Sequence, residues 1–308
     1  MDRVCYDILV QLKLPNVHLI PLEDFEAGDE KLLRAKENRR LIEYYFTCTP
    51  SLPLFILNRH PEVDRITYLD ADLFFFSSLI PLYDEIGTHS IAIIEHRFPP
   101  HLRHSDIHGI YNVGWLSFKR DEHALACLQW WREQCLEWCY DRVEDGRFAD
   151  QKYLDAWPDR FPGVVVLRHK GANVAPWNVS NYIVREDRGR IWVDEQPLIF
   201  FHFHGLKKVN AWLYNHNLGD YGVRISSSLL WSIYAPYISN LLNMSQDLLP
   251  FCEQASPDSN IRYSKMESAS FQQIPPLRRI ARSLSWRFHL CREILARNSL
   301  VVINGRVL

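Results

Sequence analysis

A β-prone apolar run at residues 64–69, carrying Ile66, Tyr68 and Leu69, stops abruptly at Asp70-Ala71-Asp72. A strand that ends in two carboxylates suits a fold whose strand ends open onto solvent or a ligand. Side chains two apart on a strand point to the same side, and Ala71 is too small to crowd the pair. Two carboxylates so placed can hold a hard divalent cation, which in an open α/β sheet falls at the carboxyl end of a strand. We read residues 64–69 as a central parallel strand.

A second polar cluster follows another apolar run. Residues 198–201 lead into His202-Phe203-His204-Gly205-Leu206-Lys207-Lys208, an H-x-x-G-x-x-K pattern. An imidazole joined to two carboxylates favours Mn²⁺ over Mg²⁺, the glycine lets backbone approach a phosphate, and Lys208 adds a point charge. The residues around these clusters alternate in period. Helices are expected over 30–46, 51–58, 79–86, 121–140 and 149–156, and strands over 90–95, 111–118, 163–167, 191–193 and 198–202. This is α/β patterning. A Pro- and His-rich stretch at 96–108 breaks regular structure and reads as a binding loop. The chain opens with a helix over 3–13 and a short strand over 16–20, the second half of a strand-helix-strand unit, so the first strand is expected to be missing.

With 35 basic and 37 acidic residues the chain has a formal net charge of -2, so no chain-wide field attracts nucleic acid. No apolar run reaches the roughly 20 residues of a membrane helix, and Asp2, Arg3 and Asp7 stand where a signal peptide is apolar. A cytoplasmic protein is expected. Residues 1–250 are expected to form the main domain and residues 251–308 a separate helical tail. In that tail Leu277, Ile280, Leu284, Phe288 and Leu295 recur at helical spacing between arginines that include Arg278, Arg282, Arg287 and Arg292. A basic amphipathic helix of this kind suits peripheral contact with the inner face of a membrane or packing on the protein itself.

Taken in order, Tyr68-Leu69-Asp70-Ala71-Asp72, Tyr111-Asn112-Val113-Gly114, Asp150-Gln151, Trp177-Asn178 and His202-x-x-Gly205-x-x-Lys208 resemble the motif series of GT-A-fold glycosyltransferases. They are most similar to the retaining family 8, which includes glycogenin and lipopolysaccharide galactosyltransferases, and to bacterial glycosyltransferase-like proteins. The resemblance covers roughly residues 15–215. It implies a GT-A fold, Rossmann-like with a mixed central sheet, and transfer of a sugar, with retention, from a nucleoside-diphosphate donor (a UDP-sugar foremost) to a glycan or lipid-linked acceptor in lipopolysaccharide or polysaccharide synthesis. It further implies Asp70, Asp72 and His202 as ligands of Mn²⁺ or Mg²⁺, and Gly205 and Lys208 at the diphosphate. Asn112 and Asp150 would meet donor-sugar hydroxyls, Gln151 would sit under the anomeric carbon, and Gly114, Trp177 and Asn178 would line the donor site. A neutral amide suits that place, because its carbonyl oxygen can stabilise an oxocarbenium-like centre.

Two departures stand out. The first strand that lines the nucleotide base in that family has no counterpart here, and residues 47–57 hold no cation where the family carries Arg or Lys. Two other readings follow from the same residues. A chain without its first strand could bind a sugar nucleotide without turning it over. A D-x-D after an apolar strand also marks haloacid-dehalogenase-type phosphatases, but Phe74 stands where that family has Thr or Val.

Overall fold

The computed structural model describes residues 1–210, 213–255, 299–303 and 306–307, and among these no helix is long and apolar enough to cross a membrane. The basic amphipathic stretch read over residues 277–297 lies outside the described residues. The chain divides into two compact units, one of residues 25–204 and 220–229, the other of the described residues among 1–24, 205–219 and 230–308.

In chain order the helices before the first sheet are α1 (Arg3–Gln11), α2 (Leu22–Glu26), α3 (Glu30–Glu37), α4 (Leu41–Cys48) and α5 (Ser51–Arg59). There follow β1 (Arg65–Leu69), β2 (Leu73–Phe75), α6 (Ile80–Ile86), β3 (Ile91–Glu95), β4 (Tyr111–Lys119), α7 (Glu122–Glu137), α8 (Trp157–Arg160) and β5 (Val164–Leu167). The first four strands after α5 that share a sheet run in the order β1, β4, β3, β5. Only β3 and β5 are parallel; β4 lies antiparallel to both its neighbours. The fold is therefore α/β with a mixed sheet. This corrects the reading of residues 64–69 as a central parallel strand, since β1 is an edge strand of this sheet and is half-buried along most of its length.

β3 carries the core on both faces. Ile91 and Ile93 pack with Leu57, Trp131 and Trp157 of the helices on one side, while Ala92 and Ile94 pack with Leu82, Ile86, Ile199 and Phe200 on the other. A large apolar side chain taken fully out of water contributes about 1.5–3 kcal/mol, and β3 recruits such residues from both sides. The register between β3 and β4 shifts between Ala92 and Ile94, where partners move from Ser117 to Asn112. The extra β4 residues form a bulge, and Gly114 lies in it.

Beyond β5 the unit holds the antiparallel meander β6 (Val184–Asp187), β7 (Arg190–Val193) and β8 (Gln196–Pro197), then β9 (Phe200–His202). β9 pairs antiparallel with β2. In the other unit β10 (Lys207–Asn210), β11 (Leu213–Asn215), β12 (Ser299–Ile303) and β13 (Arg306–Val307) form an antiparallel sheet. That unit also contains α1, capped by Asp2 through the Cys5 amide at 2.8 Å, and most of the long helix α9 (Ser227–Ala255).

Several local expectations are overturned. The helix expected over 30–46 is two helices: Asn38 ends α3, and the Glu43 carboxylate receives the Arg40 backbone N–H at 2.9 Å to start α4. Residues 149–151 form a turn and Lys152–Ala156 a 3₁₀ helix, rather than one α-helix. Ala149 has a left-handed φ of 45°, and the Asp150 carbonyl is taken by the Trp131 indole N–H at 2.8 Å. Residues 16–20 form no strand. Lys13 and Asn16 take left-handed φ values, and the Ile20 carbonyl bonds the Met1 amino group instead of a ladder. The stretch at 96–108 is more regular than expected, with 3₁₀ turns over Pro100–His108.

Candidate metal centre

From the end of β1 the chain turns through Asp70, Ala71 and Asp72 into β2, whose Leu73 lies opposite His202 of β9. The Phe203 N–H donates to the Asp72 carbonyl at 2.8 Å, so the two polar strand ends singled out in the sequence are joined through backbone. His202 Nε2 lies 3.0 Å from Asp72 Oδ1 and 3.9 Å from Asp70 Oδ2. Asp72, His202 and His204 each place one possible ligand atom within 4.8 Å of the others. His202 is buried, Asp72 half-exposed and His204 exposed, which leaves the group open on one side.

The electrostatics separate the two carboxylates. Burial pushes Asp70 above the usual carboxylate range, against the charge of His202 and a hydrogen bond from the Tyr68 hydroxyl at 2.9 Å. Burial also acts on Asp72, but there the hydrogen bond to His202 and the charges of His202 and His204 outweigh it, and the carboxyl is held below that range. Asp72 therefore remains an anion where three ligand atoms converge, and Asp70 sits beside them as a tethered second carboxylate.

Behind the carboxylates lies a buried polar wall. Asn112 Oδ1 accepts the Gly114 N–H at 3.1 Å and stands 3.3 Å from His202 Nδ1. Asn112 Nδ2 is 3.2 Å from His96 Nε2 and 3.4 Å from Gln151 Oε1, and Gln151 Nε2 donates to the His108 carbonyl at 3.2 Å. Asp150 is buried and its carboxyl is pushed up to about 7, chiefly by burial, with the Asp70 charge adding and a bond from Thr49 opposing. His96 is held neutral, its imidazole pushed down to about 3 by burial.

Trp177 and Asn178 form the floor beneath this wall. The Trp177 indole N–H donates to the His96 carbonyl at 2.9 Å, and its ring meets His202 and His204 edge-on with centroids 5.1 and 5.5 Å away. Asn178 Nδ2 donates to the same His96 carbonyl at 2.8 Å and to Asn173 at 2.9 Å. Both side chains are buried.

Of the residues read from the sequence, Asp70, Asp72, Asn112, Gly114, Asp150, Gln151, Trp177, Asn178 and His202 thus belong to one unit and one neighbourhood. Gly205 and Lys208 belong to the other unit. There Gly205 takes a left-handed φ of 73°, and a Cβ on it would collide with the Asn217 amide; Lys208 is exposed on β10 opposite Tyr214 of β11. The sequence reading assigns no site role to His204 and places His96 only within the binding loop at 96–108. The signal for His204 was its spacing of two from His202, and for His96 its place directly after the apolar run of β3.

No model of a known protein family matches the sequence. A crystal structure of a glycosyltransferase involved in the glycosylation of the major capsid of PBCV-1 aligns with 62% of this chain and 91% of its own, with 12% identity and a TM-score of 0.37. A score that low does not assign a fold. Two Bacillus subtilis (strain 168) proteins are similar in sequence. The uncharacterized protein YfnF is 35% identical over 68% of this chain and 71% of its own length. The uncharacterized protein YfnD is 32% identical over 84% of this chain and 81% of its own length, and at that identity and coverage the chain belongs to the family of YfnD and YfnF.

Proposed function

We propose that the chain is a metal-dependent glycosyltransferase that takes a sugar from a nucleoside-diphosphate donor, a UDP-sugar foremost, and passes it with retention to a glycan or lipid-linked acceptor. The observation that carries this reading is the convergence of Asp72, His202 and His204, with Asp70 alongside, where β1 and β9 end. The donor set fits a divalent cation: one anionic carboxylate and two imidazoles suit Mn²⁺ better than Mg²⁺. A cation held there would neutralise charge on a departing diphosphate.

The remaining roles fall to the chain's own side chains. Gln151 offers a neutral amide on the buried side, suited to stabilising positive charge at a sugar carbon without forming an ester. Asp150, its carboxyl pushed up to about 7, keeps a protonated fraction near neutral pH that can donate a hydrogen bond to a sugar hydroxyl. Assignment of Gly205 and Lys208 to the diphosphate rests on the motif series alone. The basic tail would bring the protein to a lipid-linked acceptor at an anionic membrane, a point that sedimentation with anionic and neutral vesicles decides.

The reading is tested by incubating the protein with a panel of nucleoside-diphosphate sugars, with Mn²⁺ or with a chelator, and following donor hydrolysis and transfer. Release of nucleoside diphosphate that requires the metal supports it. Binding of the nucleotide sugar without turnover points to a non-catalytic binding protein, and an aspartyl-phosphate intermediate with release of inorganic phosphate would replace transfer by phosphatase chemistry.

A further inference from the structure

We propose that Asn112 is a positioning residue for the metal centre: its side-chain oxygen keeps a hydrogen on His202 Nδ1, which turns Nε2 toward Asp72 as a ligand atom. The inference rests on the metal-site reading and gives Asn112 a role toward His202 beyond the donor-sugar contact that the resemblance implies.

The orientation of the Asn112 amide follows from its neighbours. A backbone N–H can only donate, so the atom 3.1 Å from the Gly114 nitrogen is the oxygen. Nδ2 then faces His96 Nε2 at 3.2 Å, which must accept. His96 satisfies this by carrying its hydrogen on Nδ1, 3.2 Å from the Ile110 carbonyl. Each group along the line has one consistent assignment, and the line ends with the Asn112 oxygen 3.3 Å from His202 Nδ1.

On its other edge the same imidazole meets Asp72 Oδ1 at 3.0 Å. The ring stands between two oxygen acceptors in a buried setting. With its Nδ1 hydrogen donated to Asn112, Nε2 meets the Asp72 carboxylate through a second hydrogen, and a cation that displaces this hydrogen would be held between Nε2 and Asp72. Nδ1 faces a neutral, buried amide, while Nε2 faces a half-exposed carboxylate beside a second histidine, so the cation belongs on the Nε2 side. Outer partners of metal-bound histidines commonly act this way, fixing the tautomer through the far nitrogen.

Gly114 supplies the room. A Cβ built on it would lie 2.7 Å from Asn112 Oδ1 and 2.8 Å from His202 Cε1, so the bulge in β4 needs glycine to let the amide and the imidazole meet. The Gly114 carbonyl also accepts the Asp70 N–H at 3.0 Å, which ties the same residue to the first carboxylate. One bulge thus holds both strand ends in place.

The test uses the full chain with ¹⁵N-labelled histidine, its His202 signals assigned by their loss in His202→Gln. In the metal-free wild type Nδ1 of His202 should be protonated; a neutral ring protonated only on Nε2 overturns the proposal without any variant. Asn112→Leu should lose the Nδ1 hydrogen and weaken Mn²⁺ binding, followed by calorimetry, about 10–100-fold. Asn112→Asp, whose oxygen still accepts from Gly114 and His202, should keep the tautomer and stay near wild-type affinity. Gly114→Ala should reproduce the loss and serves as the second variant if Asn112→Leu does not fold. Unchanged tautomer and unchanged Mn²⁺ affinity in Asn112→Leu overturn the positioning role and leave the metal site standing. Failure of the wild type to bind Mn²⁺ overturns the metal reading itself, and with it the purpose of the wiring.

Discussion

The two sides of the candidate site are built on opposite plans. On the buried side, His96, Asn112, Asp150, Asn178 and His202 are enclosed, and nearly every polar atom among them faces a named partner. On the open side, Asp72 is half-exposed and His204 exposed, and Asp72 Oδ1 meets His202 Nε2 at 3.0 Å. Fixed dipoles on the enclosed side and exposed ligand atoms on the other suit a site that must hold one reactant geometry while a charged group enters and leaves. The contrast teaches that changes on the open side should alter binding and leave the fold alone, whereas changes on the buried side should alter stability as well.

The largest effect is expected from Asp72→Asn. Nucleotide binding that depends on Mn²⁺ should fall below detection by calorimetry while the melting temperature stays near wild type; wild-type affinity at saturating metal would show that Asp72 is no ligand. On the buried side, Trp177→Ala removes the ring against both imidazoles and the donor to the His96 carbonyl. It should cost about 3–5 kcal/mol in urea unfolding. A loss within the range of surface substitutions would break the contrast drawn above.

Asp150 gives the buried side a pH signature. Its carboxyl stands at about 7 against an ordinary 3.8, so the neutral folded form contributes stability that is complete below about pH 4 and is lost as pH rises through 7. At about 1.4 kcal/mol per unit this amounts to a few kcal/mol. Asp150→Asn, uncharged at every pH, should flatten that decline in chemical unfolding measured between pH 4 and pH 8; a decline parallel to wild type would place the titration elsewhere. Gln151→Ala should lower kcat about a hundredfold and hardly change donor KM, because stabilisation of developing charge acts in the transition state. An effect confined to KM would make Gln151 a positioning contact. The smallest effect is expected from His204→Gln, which removes an exposed ligand atom. Mn²⁺ affinity should weaken about tenfold with stability unchanged, and a larger loss of stability than of affinity would move His204 to the buried group.

Both strand ends that form the site were legible because each pairs an apolar run with an abrupt polar cluster, at Asp70-Ala71-Asp72 and at His202-Phe203-His204. Their meeting was implied by the family resemblance and not by local pattern, because it depends on β2 pairing with β9 across more than a hundred residues of sequence. The same limit explains β1: its composition suits a central strand, but the neighbour it acquires is the antiparallel β4. The helix read over residues 149–156 is broken where Ala149 takes a left-handed φ and the Trp131 indole N–H bonds the Asp150 carbonyl, neither of which local pattern shows. Gly114 announced an irregularity in its strand, yet its reason, a contact between Asn112 and His202, appears only once three distant segments are folded together.

The central claim, that Asp72, His202 and His204 form a cation site, is tested most directly by anomalous diffraction from crystals soaked in Mn²⁺ and a nucleoside diphosphate. The account predicts one strong anomalous peak bonded to Asp72 and to Nε2 of His202, with His204 or Asp70 completing the protein ligands. A peak elsewhere on the chain, or none at Mn²⁺ concentrations that saturate binding in solution, would contradict it.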